Sequence, residues 1–374
     1  MISEKLYTDG YEYYRDLLKD IRDASVALDL ETYIFEVDTV GKQFVAALSE
    51  ASRRGVEVRL LVDGNGIPPF SNGFLNQLER AKVKVRLFHP LPWRFWQWSL
   101  AVCDRPLPDK LIHLINGINH RNHRKVCVID HSVAWVGSFN VSRCHLPKEK
   151  GGDDWRDTAI RLEGIQLGEL EMAFQSTWKG RHFIRHFKNN PTPVASPRFR
   201  LNLSRRRRRN LYKDMLNRIS QARQRIWITN AYFVPDEALL QRLKKAAQRG
   251  VDVRIILPSQ SDIFFMPWTS AVFYHSLITH KVRIFEYCPG VLHAKTLILD
   301  DWMTVGSSNL NSRSLLHDLE ADVVLYQDAA KKQLGRQFLN DMEQSIEILK
   351  DDSPAGAMWK KLFAHLLLSV KYWL

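Results

Sequence analysis

RRGVEVRLLVD, residues 53–63, and QRGVDVRIILP, residues 248–258, are one phrase written twice in the same chain. In each, a glycine ends a polar stretch and a β-branched, apolar run follows. Gly55 and Gly250 fit the left-handed position just past a helix end, where a side chain would be strained. The runs after them have the continuous apolar character of strands buried on both faces. Working outward, the residues before each phrase have helical periodicity. Phe44, Val45, Leu48 and Ala51 repeat at i, i+1, i+4 and i+7, and Leu239, Leu240, Leu243 and Ala246 repeat that spacing. Before each helix lies a strand candidate, VALDLETYIF (26–35) and IWITNAYFV (226–234). After each phrase comes another, KVKVRLF (82–88) and KVRIFEY (281–287). Strand, helix, strand, repeated, predicts an α/β fold of two similar α/β/α halves.

The halves meet at a Pro- and Arg-rich stretch, residues 189–209, which ends in five consecutive arginines, Arg205 to Arg209. The predicted division is 1–190 and 191–374. The first half carries an additional segment that includes PLPWRFWQWSLAVCDRPLP (90–108).

Each half then carries the same chemistry-bearing motif. HRKVCVID (123–130) and HAKTLILD (293–300) are both H-x-K-x4-D, and a G-S-x-N follows each: Gly137, Ser138, Phe139, Asn140 and Gly306, Ser307, Ser308, Asn309. On a strand, residues i and i+2 share a face, so His and Lys are expected to project together. Ser138, Asn140, Ser307 and Asn309 are candidate donors to phosphate oxygens, beside Lys125 and Lys295. One imidazole can attack phosphorus while the other protonates the leaving oxygen, which needs no metal or cofactor. Positioned lysines would hold the equatorial charge. Each histidine also needs a carboxylate to fix its tautomer, as in hydrolytic triads. The candidates are Asp157 in the first half and Glu320 in the second. Asp130 and Asp300 complete the motif, but their place after a strand suits them better to holding a turn.

The duplicated H-x-K-x4-D resembles the signature of the phospholipase D superfamily. GGDDWRDTAIRLEG, FEYCPGVLHAKTLILDD and TVGSSNLNSRSL are similar to bacterial cardiolipin synthases, nearest to the short type without N-terminal transmembrane helices. The resemblance implies two halves about a pseudo-dyad with the active site at their interface. It implies His123 as nucleophile and His293 as general acid. It also implies transfer of phosphatidyl from phosphatidylglycerol to a second phospholipid hydroxyl. Hydrolysis by water and phosphodiesterase action on nucleic acid are the alternatives. A silent lipid-binding scaffold is disfavoured by the intact His, Lys and Asn of both motifs.

The formal net charge of +13 favours polyanionic partners. With the resemblance, the expected partner is an anionic phospholipid surface containing phosphatidylglycerol and cardiolipin, with no obligatory nucleic acid. The four cysteines have no metal-type spacing, and His113, His120 and His123 lack acidic or thiol partners to complete a metal site. No apolar run reaches the roughly 20 residues of a membrane span, and the N-terminus lacks a signal-peptide pattern. The expected location is the cytoplasmic side of a bacterial inner membrane, peripherally bound. Three segments are candidates for that surface: Trp93 to Trp98, as a headgroup contact or a buried aromatic cluster; Arg205 to Arg209, as a lipid-attracting or merely solvated run; and residues 358–374, as an interfacial or core-packed helix.

Overall fold

The structure, a computed structural model, describes residues 2–68, 72–103, 109–180 and 198–349. The interfacial helix predicted at 358–374 and residues 189–197 of the predicted boundary stretch lie outside these residues.

The repeated phrases form the second parallel strand of two sheets. In the first sheet the strands are β1 (Ser3–Tyr7), β2 (Ala27–Thr32), β3 (Glu57–Asp63), β4 (Lys84–Phe88), β5 (Val126–Ile129), β6 (Val133–Gly137) and β7 (Ala159–Glu163). In the second they are β8 (Phe199–Leu201), β9 (Arg225–Thr229), β10 (Asp252–Pro258), β11 (Arg283–Tyr287), β12 (Thr296–Leu299), β13 (Trp302–Gly306), β14 (Ala321–Val324) and β15 (Ser345–Ile348). The spatial order is β1-β7-β6-β5-β2-β3-β4 in one and β15-β11-β10-β9-β12-β13-β14-β8 in the other. Read from β8, the second order reproduces the first, with β15 added at the edge.

Each sheet is mixed. The three strands of the β-α-β units are parallel, as their helical crossovers require. The motif strands β5 and β12 run antiparallel to β2 and β9 and open a meander through β6–β7 and β13–β14. The crossover helices Thr39–Arg53 and Glu237–Gln248 begin at Asp38 and Asp236, each accepting an amide from the first turn, and end before Gly55 (φ 98°) and Gly250 (φ 91°).

The two sheets share one core. Val126, Val128, Val136, Ile160 and Leu162 of the first pack with Ile256, Phe285, Ile298, Val305 and Val323 of the second. Their other faces are covered by helices, over separate clusters around Leu28, Phe44 and Leu60 and around Ile228, Leu243 and Ile255. Arg156 ties the halves with a bidentate pair to Asp341, at 3.0 and 2.8 Å.

Of the arginine run, Arg205, Arg206 and Arg209 are exposed and two turn inward. The run opens the helix Arg205–Gln221 behind a Ser204 cap. Arg208 is buried and donates to the carbonyls of Asn202 and Leu316, and Arg207 pairs with Glu169 at 2.9 Å. The Trp93–Trp98 segment divides by face. Gln97 and Trp96 turn inward against the first half, while Trp93 and Phe95 stand 62% and 70% exposed.

Candidate active site

The motif histidines do not lie within strands. His123 and Lys125 precede β5, and His293 and Lys295 precede β12, because the backbone there pairs across the seam instead. The His123 amide donates to the Leu319 carbonyl at 2.9 Å, and the Leu319 amide to the Arg121 carbonyl at 2.8 Å. In mirror fashion, the His293 amide donates to the Arg156 carbonyl at 2.8 Å, and the Arg156 amide to the Val291 carbonyl at 2.9 Å. Leu319 precedes Glu320 and Arg156 precedes Asp157. The short parallel pairings therefore set each histidine beside the carboxylate of the opposite half.

The side chains follow that registration. His123 Nδ1 lies 3.1 Å from both carboxylate oxygens of Glu320. His293 Nδ1 lies 2.8 Å from Asp157 Oδ1. This corrects the reading from sequence order, which grouped each carboxylate with the histidine of its own half. With Nδ1 engaged, Nε2 of each ring is left to the cleft. Tyr33 and Tyr232 flank the pair, with ring centroids 5.0 Å from His123 and 6.1 Å from His293. Lys125 and Lys295 reach over those tyrosine rings at 5.3 and 5.8 Å. Sequence reading passed over both tyrosines, although each stands just past its matched strand, in ETY and NAY.

Asp130 and Asp300 are not part of this cluster. At the far ends of the motif strands, Asp130 accepts the amides of Ser25, Val26 and Ala27 at 2.7–3.0 Å, and Asp300 those of Arg223, Gln224 and Arg225 at 2.8–2.9 Å. They staple turns. Ser138 and Ser307 are also unavailable to a phosphate. Both are fully buried; Ser138 exchanges hydrogen bonds with the Thr158 backbone, and Ser307 donates to Glu320 and accepts from the Ala321 amide. Asn140 Oδ1 accepts the Ile34 amide at 3.2 Å, which leaves its Nδ2 as the donor. Asn309 Oδ1 is buried with no partner in the structure.

Burial controls the charge states. It lowers His123 well below the ordinary histidine range, assisted by Lys125, Lys295 and His293, so the ring is neutral near pH 7. Burial also brings Lys125 to about 7 and Lys295 to about 8. It raises Glu320 to about 7, against the pull of Lys125 and two serine hydroxyls. Burial would raise Asp157 too, but His293 and His145 outweigh it and hold the carboxylate ionised.

The family model described as "Cardiolipin synthase, PLD-like domain" matches residues 17–150 and 215–342. The chain belongs to that family. It is 32% identical over 358 residues to the cardiolipin synthase of Clostridium perfringens (strain SM101 / Type A), covering 92% of this chain and 71% of that protein. It is 31% identical over 366 residues to the cardiolipin synthase of Staphylococcus aureus (strain Mu50 / ATCC 700699), covering 96% and 70%. Among solved structures, the phosphatidylserine synthase of Haemophilus influenzae Rd KW20 superposes with a TM-score of 0.69 at 11% identity, covering 99% of this chain and 95% of that one. That likeness establishes the phospholipase D fold. The two matched segments each contain one H-x-K motif of this cardiolipin synthase family member.

The arrangement can take a phosphodiester monoanion between two imidazoles and two lysines. A bound anion favours the charged lysines, so substrate binding restores what burial removes. A pH dependence follows for a nitrophenyl phosphodiester, whose leaving group needs no proton. Its kcat/KM requires neutral His123 and charged lysines. It should show no step at an ordinary histidine value; it should rise as Glu320 ionises near 7 and fall as Lys125 and Lys295 lose protons near 7 and 8. Replacement of Lys295 by methionine should remove the later step while lowering kcat/KM at every pH.

Proposed function

We propose that the protein is a cardiolipin-forming phosphatidyltransferase that works through a phosphohistidine on His123. The supporting observation is the pair of crossed imidazole–carboxylate contacts, which leaves two Nε2 atoms facing one cleft. His123 Nε2 attacks the phosphorus of phosphatidylglycerol, and the P–O bond to the glycerol headgroup breaks. Burial and Lys295 lower His293 to about 4 in the free protein, so its acid form depends on Asp157 and on the anionic phosphate of the bound substrate; in that form it gives its proton to the glycerol oxygen. Neutral His293 then takes the proton from a headgroup hydroxyl of a second phosphatidylglycerol, whose oxygen attacks phosphorus and breaks the P–N bond. Cardiolipin forms and both rings return to their starting states. Lys125, Lys295 and the amides of Asn140 and Asn309 would hold the equatorial oxygens.

The reaction places the enzyme peripherally at an anionic phospholipid surface, which we take to be the cytoplasmic face of a bacterial inner membrane. No described helix is long and apolar enough to cross a membrane. Exposed aromatic side chains instead hang near both walls of the cleft. Trp93 and Phe95 flank Arg94, which grips the Gly64 and Ile67 carbonyls around Asn65, a hydrogen-bond partner of Tyr33. Phe264, 66% exposed, follows Asp262, which binds Tyr232 at 2.7 Å. Apolar surface of this kind, on a strongly cationic chain, suits a headgroup interface. Changing Trp93, Phe95 and Phe264 together to serine should release the protein from phosphatidylglycerol vesicles in a sedimentation assay. Turnover of a soluble nitrophenyl diester should remain within about threefold of the parent, because none of these residues touches the imidazoles. Retained vesicle binding would separate these residues from the lipid surface.

Mass spectrometry of products from phosphatidylglycerol liposomes tests the reaction itself. Cardiolipin with free glycerol is expected. Phosphatidic acid alone would make water the acceptor and the enzyme a phospholipase. No lipid product, with nucleic acid cleaved in parallel, would move the substrate to nucleic acid.

A further inference from the structure

Behind each catalytic carboxylate lies a further side chain at the same place in the repeat. Five residues after the motif asparagine stand His145 in the first half and Ser314 in the second. The Asn140 amide donates to His145 Nε2 at 3.2 Å, and His145 Nδ1 lies 2.7 Å from Asp157 Oδ2. The Asn309 amide donates to Ser314 Oγ at 3.2 Å, and that hydroxyl donates to Glu320 Oε1 at 2.5 Å. Two chains result. One runs Asn140 amide, His145, Asp157, His293. The other runs Asn309 amide, Ser314, Glu320, His123.

The two chains compensate for each other in length. The long imidazole of His145 stands behind the short carboxylate of Asp157, and the short hydroxyl of Ser314 stands behind the long carboxylate of Glu320. Their chemistry differs as well. Nε2 of His145 faces a backbone amide, and its Nδ1 edge faces Asp157. Asp157 therefore lies between two imidazoles, in hydrogen-bond contact with His293 and in close 2.7 Å contact with His145, and Glu320 lies between one imidazole and the hydroxyls of Ser307 and Ser314. His145 has no room to adjust. It is 2% exposed, packed against Phe139 and Trp155 at ring distances of 5.3 and 5.6 Å, and Gly10 lies so close that a Cβ there would stand 1.9 Å from the His145 carbonyl oxygen.

We infer that His145 is a positioning residue that holds Asp157, and through it His293, in the orientation for proton transfer, and that Ser314 does the same for Glu320 and His123. The asymmetry separates the roles of two otherwise equivalent histidines: the ring backed by an imidazole–carboxylate chain handles protons, and the ring backed by hydroxyls attacks phosphorus. This assignment rests on the transferase reading above.

The test uses His145→Ser and the length-matched pair His145→Ser/Asp157→Glu, which gives the first half the chain of the second. With a nitrophenyl phosphodiester, formation of the phosphoenzyme needs no acid, whereas its breakdown needs His293 as base. His145→Ser should slow breakdown by about 10- to 100-fold, the range for outer partners that orient functional histidines, and leave the formation burst and kcat/KM within about threefold. The double variant should recover most of the lost rate. Equal losses in both phases, or no recovery in the double variant, would make His145 part of the packing alone and overturn the inference. The low-field Nδ1 proton resonance of His293 gives a second reading, free of turnover. It should move in His145→Ser and return in the double variant, and an unmoved resonance would also overturn the inference. Absence of any phosphoenzyme in the parent protein would instead defeat the transferase reading, and the resonance would still decide whether His145 orients His293.

Discussion

His123→Ala should abolish turnover of every phosphodiester, by on the order of 10⁴- to 10⁶-fold, as loss of a covalent nucleophile does in other enzymes. The expectation rests on its environment. The ring is neutral near pH 7, its Nδ1 is fixed by Glu320, and two lysines stand over the adjoining tyrosine rings. His293→Ala should fail differently. With a nitrophenyl diester, whose leaving group needs no acid, the phosphoenzyme should form and then persist, because no base remains to activate the acceptor. Intact-protein mass spectrometry reads the difference directly. A retained adduct on His293→Ala and none on His123→Ala is the expected pattern. The reverse pattern would exchange the roles of the two histidines, and full activity of His123→Ala would remove the covalent mechanism.

The pair His123 and His293 was legible in the sequence because the chain repeats itself, whereas the assignment of which ring attacks came only from the family resemblance. A single H-x-K pair says little, but two, each followed by G-S-x-N and preceded by matched strand, helix and strand, specify a site made from both halves. The α/β order was legible for the same reason, since the helix-ending glycines and the apolar runs after them carry strong local signals. Three features were not legible, each for a physical reason. Strand boundaries depend on where backbone pairing switches partner. His123 and His293 pair with Leu319 and Arg156 across the seam, so they sit outside the strands that their pattern suggested. The same registration crosses the carboxylates, and chain order carries no trace of it. Ser138 and Ser307 looked like phosphate donors because hydroxyl chemistry is visible in a sequence, whereas full burial against the next strand is not. His145 and Ser314 could have been found by continuing the alignment five residues past the motif asparagines. Their chemical difference hid the match, although the paired change from Asp157 to Glu320 compensates for it.

The crossed carboxylates make the second large prediction. If each carboxylate served the histidine of its own half, Asp157→Asn would impair nucleophilic attack and Glu320→Gln would impair proton transfer. The geometry requires the opposite. Asp157 lies 2.8 Å from His293, so Asp157→Asn should behave as a weaker His293→Ala and accumulate phosphoenzyme from a nitrophenyl diester. Glu320 lies 3.1 Å from His123, so Glu320→Gln should lose the burst and resemble His123→Ala. An amide can present its NH2 to Nδ1 and favour the wrong tautomer, a change that costs about 10⁴-fold in a serine protease triad. Losses on the order of 10²- to 10⁴-fold are expected here, with the bound lysines and asparagines sustaining the remainder. The two variants should also differ in stability near neutral pH. Folded Glu320 titrates at about 7, above the ordinary glutamate value of 4.5, so the folded state holds its proton more tightly than the unfolded chain. That contribution is fully present below pH 4.5 and is lost as pH rises through 7. Glu320→Gln, which cannot lose a proton, should therefore gain in melting temperature relative to the parent as pH rises from 5 to 8. Asp157 is ionised in the folded state, and two imidazoles lie against it. Asp157→Asn should lose melting temperature across that range. Opposite signs in the two thermal series, together with opposite effects on the burst, would establish that each half of the chain supplies the carboxylate for the other half's histidine.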